Sequence, residues 1–226
     1  MGKEGFVRYP PSVSDDVLRF PDGGWAELVG NHPALDLLNT VAWRPDPARR
    51  VDRLGDAREL VRWGAFAGVL DGPTARRFAR EAAADPAEAA LALGRVRRLR
   101  ERLHRVVLPL ARAQHPDPTD VVGLHSLLLR ALQRVEVEST MPTIWSSRPG
   151  TLAELPDQLA VRAWQLLQRD DADRLRQCGD DSCGWLFIDR SRSGTRIWCS
   201  SADCGNRNRV RRHYRRHHDA PVRPPR

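Results

Sequence analysis

Four cysteines stand near the C-terminal end of the chain as Cys178-x4-Cys183 and Cys199-x4-Cys204, with fifteen residues between the pairs. Two cysteine pairs joined by a hairpin's length of chain supply four thiolates, the donor set for one tetrahedral structural Zn²⁺. Glycine at 184, directly after Cys183, suits a tight turn whose amides face sulfur. The segment after the last cysteine is dense in arginine, with Arg207, Arg211 and Arg215 at i, i+4 and i+8 of an expected helix and Arg209, Arg212 and Arg216 flanking them. Like charges at that spacing repel one another, so the stripe costs helix stability unless something anionic lies along it.

Charge is segregated in the same way. Residues 174–226 hold 13 Arg against 5 Asp, whereas residues 1–173 hold 24 Lys+Arg against 24 Asp+Glu, so the whole formal +8 sits in the last quarter. A neutral body with a cationic end points to a polyanionic partner for that end, and nucleic acid, as duplex DNA, is the expected one. Only Lys3 is a lysine; a GC-rich genome accounts for the other basic residues being arginine.

Around the cysteines, residues 184–189 read as a strand, 190–195 as a Ser/Gly turn and 196–198 as a second strand, with Cys204 opening a helix. That order of elements is treble-clef-like and carries more specificity than the loose x4 spacing. Val210, Tyr214 and His217 share a face of the helix and are expected to pack on the hairpin and Trp198. Arg190, Arg192 and Arg196, around the hairpin, are expected to extend the basic surface. The turn contains no histidine, which argues against nuclease chemistry, and no nucleophile–base or paired-carboxylate pattern marks the chain as an enzyme.

The elements that must carry this module are helical. Pro33 starts a helix expected to run to Trp43, and Asp56 caps one over about 57–70. Thr74 is read as the cap of the next helix, and Asp85-Pro86 opens a long one to about 113. In that long helix Leu93, Val96, Leu99, Leu103 and Leu110 recur at helical spacing, and Pro109 is expected to kink it. Asp120 is read as the start of the following helix, and residues 152–167 as the last of the body. Residues 135–138 and 143–145 alternate as a small hairpin, while the first twenty or so residues read as irregular or a short strand. The expected fold is therefore mainly α: a helical domain with a small β-hairpin over 1–173, a C4 zinc finger of hairpin plus helix over 174–219, and a disordered tail over 220–226.

With 41% hydrophobic residues the body can form a core, and a mean hydropathy of −0.53 implies a highly charged surface. No apolar run reaches the length of a membrane span and the start lacks the apolar region of a signal peptide, so a cytoplasmic protein with thiolates rather than disulfides is expected.

Cys204-Gly205-Asn206-Arg207, together with Cys178, Cys183-Gly184-Trp185 and Trp198-Cys199, closely resembles the CGNR zinc finger. Residues 30–40, Gly-Asn-His-Pro-Ala-Leu-Asp-Leu-Leu-Asn-Thr, and 60–70 around Trp63 are similar to the ABATE domain, which precedes that finger in bacterial stress-induced transcription regulators. The resemblance implies a regulator without supplying its target.

The expected function is zinc-dependent DNA binding through the helix over 204–218, with phosphate contacts positioning it and Asn206 or Arg207 reaching base edges. For Asn206 a local cap or a hydrogen bond to a thiolate stands as an equal reading. Two alternatives stay open. One is RNA binding, with Trp185 or Tyr214 stacking on an unpaired base. The other is an enzyme or small-molecule sensor in the helical domain, where His32, Asn39, Thr40 and Trp43 form a polar cluster, with the finger as a protein-docking module. A small-molecule effector and a homodimer are both compatible with the sequence.

Overall fold

The computed structural model describes residues 28–137, 145–146 and 149–218. The expected irregular start, the disordered tail and the link of the small hairpin lie outside the described residues.

Helix α4 (Pro86–Ala111) is the axis of the body. Asp85 caps it by accepting from the Glu88 amide, Pro86 fits its first turn, and Pro109 falls in its last. Its inner face, from Ala89 through Leu93, Val96, Leu99 and Leu103 to Val107, is buried, whereas Leu110 is exposed. Around it pack α1 (Pro33–Leu38), α2 (Ala57–Phe66), α3 (Gly72–Ala84), α5 (Pro118–Leu132) and α6 (Leu155–Leu167). Trp63, Phe78, Leu60 and Leu159 fill the space between them. Two helices start about one turn before the expected residue because an earlier aspartate wins the cap. Asp71 accepts from the Thr74 amide, and Asp117 from the Thr119 amide.

The expected helix over 33–43 ends at Leu38, with Asn39 as its C-cap. The chain then forms β1 (Val41–Ala42), paired antiparallel with β2 (Val51–Asp52). Trp43 follows with φ +55°, a left-handed conformation that a bulky residue rarely adopts. The small hairpin is present as β3 (Glu136–Val137) against β4 (Trp145–Ser146), close to the expected register.

The second body of the chain departs from the expected pairing. Strand β5 (Leu175–Gln177) pairs with β6 (Leu186–Ile188), so the first cysteine pair forms the turn of this hairpin. Residues 195–198 run alongside without strand pairing, held by the Gly179 amide donating to the Ile197 carbonyl at 2.9 Å. The reason lies at Asp189, which is fully buried and accepts from the Ser191 and Arg196 amides at 2.8 Å each. Its carboxylate takes amides that a ladder would otherwise use.

Alternate residues of a strand point their backbone groups to opposite edges, so Leu186 and Ile188 present theirs away from β5. That edge is closed by the helical body. Asn39 Nδ2 donates to the Leu186 carbonyl and its Oδ1 accepts from the Leu186 amide, both at 2.9 Å. Two residues on, the Ile188 amide donates to the Gly30 carbonyl at 3.1 Å and Asn31 Nδ2 donates to the Ile188 carbonyl at 2.9 Å. Leu175, Leu186 and Ile188 belong to the same apolar core as α1 and α4, while Phe187, on the other face, packs among the cysteines. The expected division at 173/174 falls in a 3-10 turn (Ala172–Arg174) directly before β5.

Asn39→Ala would strip partners from two buried backbone groups, each costing roughly 1–3 kcal/mol when left unpaired. A loss of about 2–4 kcal/mol in urea denaturation is expected, and a loss below about 1 kcal/mol would show that this grip is dispensable.

Candidate metal centre and basic helix

The four Sγ atoms of Cys178, Cys183, Cys199 and Cys204 all lie within 4.8 Å of one another, and all four residues are buried. Cys183–Cys199 and Cys199–Cys204 are separated by 3.7 and 3.5 Å. Sulfurs at the corners of a Zn–S₄ tetrahedron stand about 3.8 Å apart, so the cluster fits one Zn²⁺. Without a cation the four groups conflict. Hydrogen bonds from the neighbouring thiols favour a thiolate at Cys178, while that same proximity and burial push Cys183 and Cys199 up. A divalent ion lets all four ionise together.

Local geometry explains both x4 spacings. In the first, the Cys183 amide donates to the Asp180 carbonyl at 2.9 Å and the Cys178 amide to Trp185, across the knuckle. Gly184 has φ +75°, and a Cβ there would stand 2.7 Å from Pro45 Cδ, so glycine is required by conformation and by space. In the second, residues Ser201–Gly205 form a π-helical turn, closed by the Gly205 amide donating to the Ser200 carbonyl at 3.0 Å. The wide turn swings Cys204 back toward Cys199 and delivers the chain into α7 (Asn206–His218).

Asp180 anchors that helix. Its side chain is 0% exposed; Oδ1 accepts from the Ser182 amide and hydroxyl, and Oδ2 from Arg207 Nε and Asn208 Nδ2 at 2.9 Å each. Burial would raise this carboxyl, but the Ser182 and Arg207 hydrogen bonds outweigh it and hold it below the ordinary carboxylate range. Asp180, Asp189 and Asn208 were not singled out from sequence, because an aspartate near a cysteine pair looks like any solvated turn residue.

Arg207 has an assignment unlike the expected one. Besides Asp180, it donates to Asp203 Oδ1 at 2.9 Å and to the Cys204 sulfur at 2.8 Å, and its guanidinium lies 4.6 Å from the Trp43 ring centroid. These four contacts commit it to holding the metal site, and it does not reach out to a base. Arg211 stays largely exposed but pairs with Asp180 at 3.5 Å. Arg196 turns onto the knuckle, donating to the Trp198 and Cys199 carbonyls with its guanidinium 4.2 Å from the Phe187 centroid. Asn206 and Arg192 are exposed. Arg209, Arg212, Arg215 and Arg216 are exposed too, and among the described residues no carboxylate lies within ion-pair distance of them. Val210 and Tyr214, expected to pack on Trp198, are 45% and 60% exposed. Trp198 instead covers Gly205, where a Cβ would stand 3.1 Å from its ring. Every described side chain from 209 to 216 faces solvent.

The polar cluster expected as a ligand pocket is dispersed. Asn39 is occupied by Leu186; Thr40 Oγ1 donates to the Leu37 carbonyl and accepts from Arg100. His32 caps α1, its Nδ1 accepting from the Ala34 amide. Trp43 lines a small cavity of about 40 Å³ shared with Arg53, Cys183, Trp185 and Arg207. Trp43 meets two guanidiniums, Arg207 at 4.6 Å and Arg49 at 3.6 Å from its centroid.

A hairpin knuckle followed by a helix, with the fourth thiolate on the π-helical turn that leads into it, defines a treble-clef-like C4 zinc finger, here mounted on a helical domain. Residues 174–217 match the CGNR zinc finger, and residues 31–177 match ABATE, described as "Putative stress-induced transcription regulator". The chain belongs to the ABATE family. No curated protein matches it.

Two outcomes follow from this geometry. Cys204→Ser is expected to release zinc and unfold residues 178–218, with most of the helical dichroism of the body retained. Full finger structure in excess chelator would contradict it. The second concerns His32, whose burial, with Arg169, Arg162 and Arg190 nearby, pulls its pKa down to about 3. The folded state then binds fewer protons than the unfolded one below the ordinary pKa of about 6.5, so this contribution is full above that pH and lost as pH falls toward 3. The loss is about 2 kcal/mol at pH 5. His32→Asn, which keeps a capping acceptor, should flatten the urea midpoint between pH 6.5 and 5 relative to wild type; parallel curves would contradict the assignment.

Proposed function

We propose that the chain is a cytoplasmic, zinc-dependent DNA-binding transcription regulator of stress responses, acting without a catalytic step of its own, and that α7 is the element that meets the duplex. The observation that carries this reading is a helix without a packed face. A 13-residue helix of this composition is marginal by itself in water. Here the zinc site holds its start through Arg207, Asn208 and the Arg211–Asp180 pair, while Arg209, Arg212, Arg215 and Arg216 extend into solvent with no carboxylate in ion-pair distance among the described residues. A helix about 20 Å long fits a major groove about 12 Å wide, and phosphates on both walls would supply the missing counter-charge. The family description supports the regulatory part.

The residues that would contact DNA are redrawn by the geometry. Arg209, Arg212, Arg215 and Arg216 form the phosphate set, with Arg192 available beside it and Asn206 left as the exposed residue near the helix start for a base edge. Arg207 and Arg211 act behind them by tying the helix to Asp180, and Arg196 by bracing the knuckle. The RNA reading loses one support, since Trp185 is 9% exposed and its ring is covered by Arg53 at 5.5 Å.

The test is duplex binding as a function of salt. Arg212→Ala, Arg215→Ala and Arg216→Ala should each reduce the log–log salt slope by about 0.9 and weaken all sequences about equally. Arg207→Ala should instead lower zinc affinity before it alters sequence preference. Duplex affinity with an unchanged slope after loss of Arg212, Arg215 and Arg216 together would remove α7 as the contact surface. Preferential binding of single-stranded RNA in competition would move the reading to RNA.

A further inference from the structure

The body of the protein is electroneutral as a whole, yet its cations are not evenly spread. Between α4 and α5 runs a groove of about 580 Å³ whose walls carry Arg97, Arg98, Arg102, Arg105 and Arg130, with Glu101 as its one acidic lining residue. That volume lies within the range of sites for small ligands, roughly 300–1,000 Å³. Adding the ion-pair partners of these groups among the described residues, seven guanidiniums (Arg44 and Arg100 included) meet three carboxylates, Asp52, Glu101 and Asp120, an excess of four positive charges. The carboxylates are already used. Glu101 is held by Arg44 at 2.8 Å and Arg100 at 2.9 Å, and Asp120 is shared by Arg102 at 3.1 Å and Arg105 at 2.6 Å. Arg98 and Arg130 have no carboxylate within ion-pair distance among the described residues.

Like charges along one helix face destabilise it, and Arg98, Arg102 and Arg105 stand at i, i+4 and i+7 of α4. The groove is also shaped to keep them there. Gly123 of α5 lies directly under the Arg102 guanidinium, where a Cβ would stand 2.9 Å from Nη1 and 3.1 Å from Cζ. Leu127, one turn on, adds an apolar floor. Planar guanidinium forks around a concave, partly apolar space suit phosphate, which accepts paired hydrogen bonds from each fork.

We infer that the α4/α5 groove is a binding site for a small phosphorylated molecule carrying two or more negative charges, a site separate from the zinc centre and from α7. Its wall is wired toward the finger: Glu101 holds Arg44, and the preceding residue, Trp43, stacks on Arg207 at the base of α7. The inference stands whether or not α7 binds DNA.

Pyrophosphate titrated calorimetrically into the zinc-loaded protein, at about 0.15 M salt, tests it. Saturable binding is expected. It should weaken about tenfold or more in Arg98→Ala/Arg130→Ala and in Gly123→Glu, which adds a carboxylate to the groove while improving helix propensity. It should be unchanged in Arg212→Ala/Arg216→Ala. Binding that is absent, that survives the groove variants, or that is lost with the α7 pair instead would overturn the site. Groove variants that leave pyrophosphate unbound as in wild type but reduce the salt slope for duplex DNA would likewise overturn it, and would make the groove a track for the nucleic-acid backbone.

Discussion

The far edge of strand β6 is the constraint on which the arrangement rests. A three-residue strand with one partner cannot hold a metal knuckle in place, because half of its backbone groups would be unpaired and its apolar side chains uncovered. The helical body supplies both. Gly30, Asn31 and Asn39 satisfy the edge residue by residue, and α1 receives Leu186 and Ile188 into its core. The eleven-residue signature around α1 acquires a physical reading from this. Gly30 is small because a Cβ would stand 2.7 Å from Leu35 Cβ, and its amide is held by the Asp36 carboxylate at 2.8 Å. His32 and Pro33 start the helix, and Asn31 and Asn39 project from its two ends onto β6.

On the metal side the same economy of charge recurs. Four thiolates around a divalent cation leave a net of two negative charges in a site walled by Trp185, Phe187 and Trp198. Arg207 donates to one sulfur and the Cys199 amide to another at 3.4 Å, which spreads that charge onto protein donors. Arg207 is then itself balanced by Asp180 and Asp203. The chain of contacts from Glu101 through Arg44 and Trp43 to Arg207 is continuous, and each link is charged, aromatic or covalent.

Much of this was legible locally and little of it at long range. The cysteine pattern revealed the metal, and the aspartate–proline pairs revealed helix starts, because ligation and capping are written within a few residues. The helix at Pro33 was read too long, since nothing in its apolar spacing announces that Asn39 is needed elsewhere. Residues 196–198 were read as a strand because their pattern is extended, yet pairing depends on a carboxylate seven residues away. Val210 and Tyr214 were placed in a core by helical periodicity, which reports a shared face but not whether anything lies opposite it. Arg207 was read with its arginine neighbours, and only the position of Asp180 and Trp43 separates it from them. The same holds for His32, Asn39 and Thr40, each of which is held by internal hydrogen bonds to a different part of the structure.

The shared strand also bears on how such a protein can arise. Zinc fingers are commonly thought of as interchangeable beads, each closed on its own metal and free to be recombined. Here the bead is open on one side, and its missing edge is written 150 residues upstream in Gly30, Asn31 and Asn39. A recombination event between the two halves would separate a strand from the cover of its far edge. Lineages that carry this finger in this form should therefore inherit both halves together, and sequence drift at β6 should be answered by drift in the signature, so that the pair evolves as a single unit of heredity.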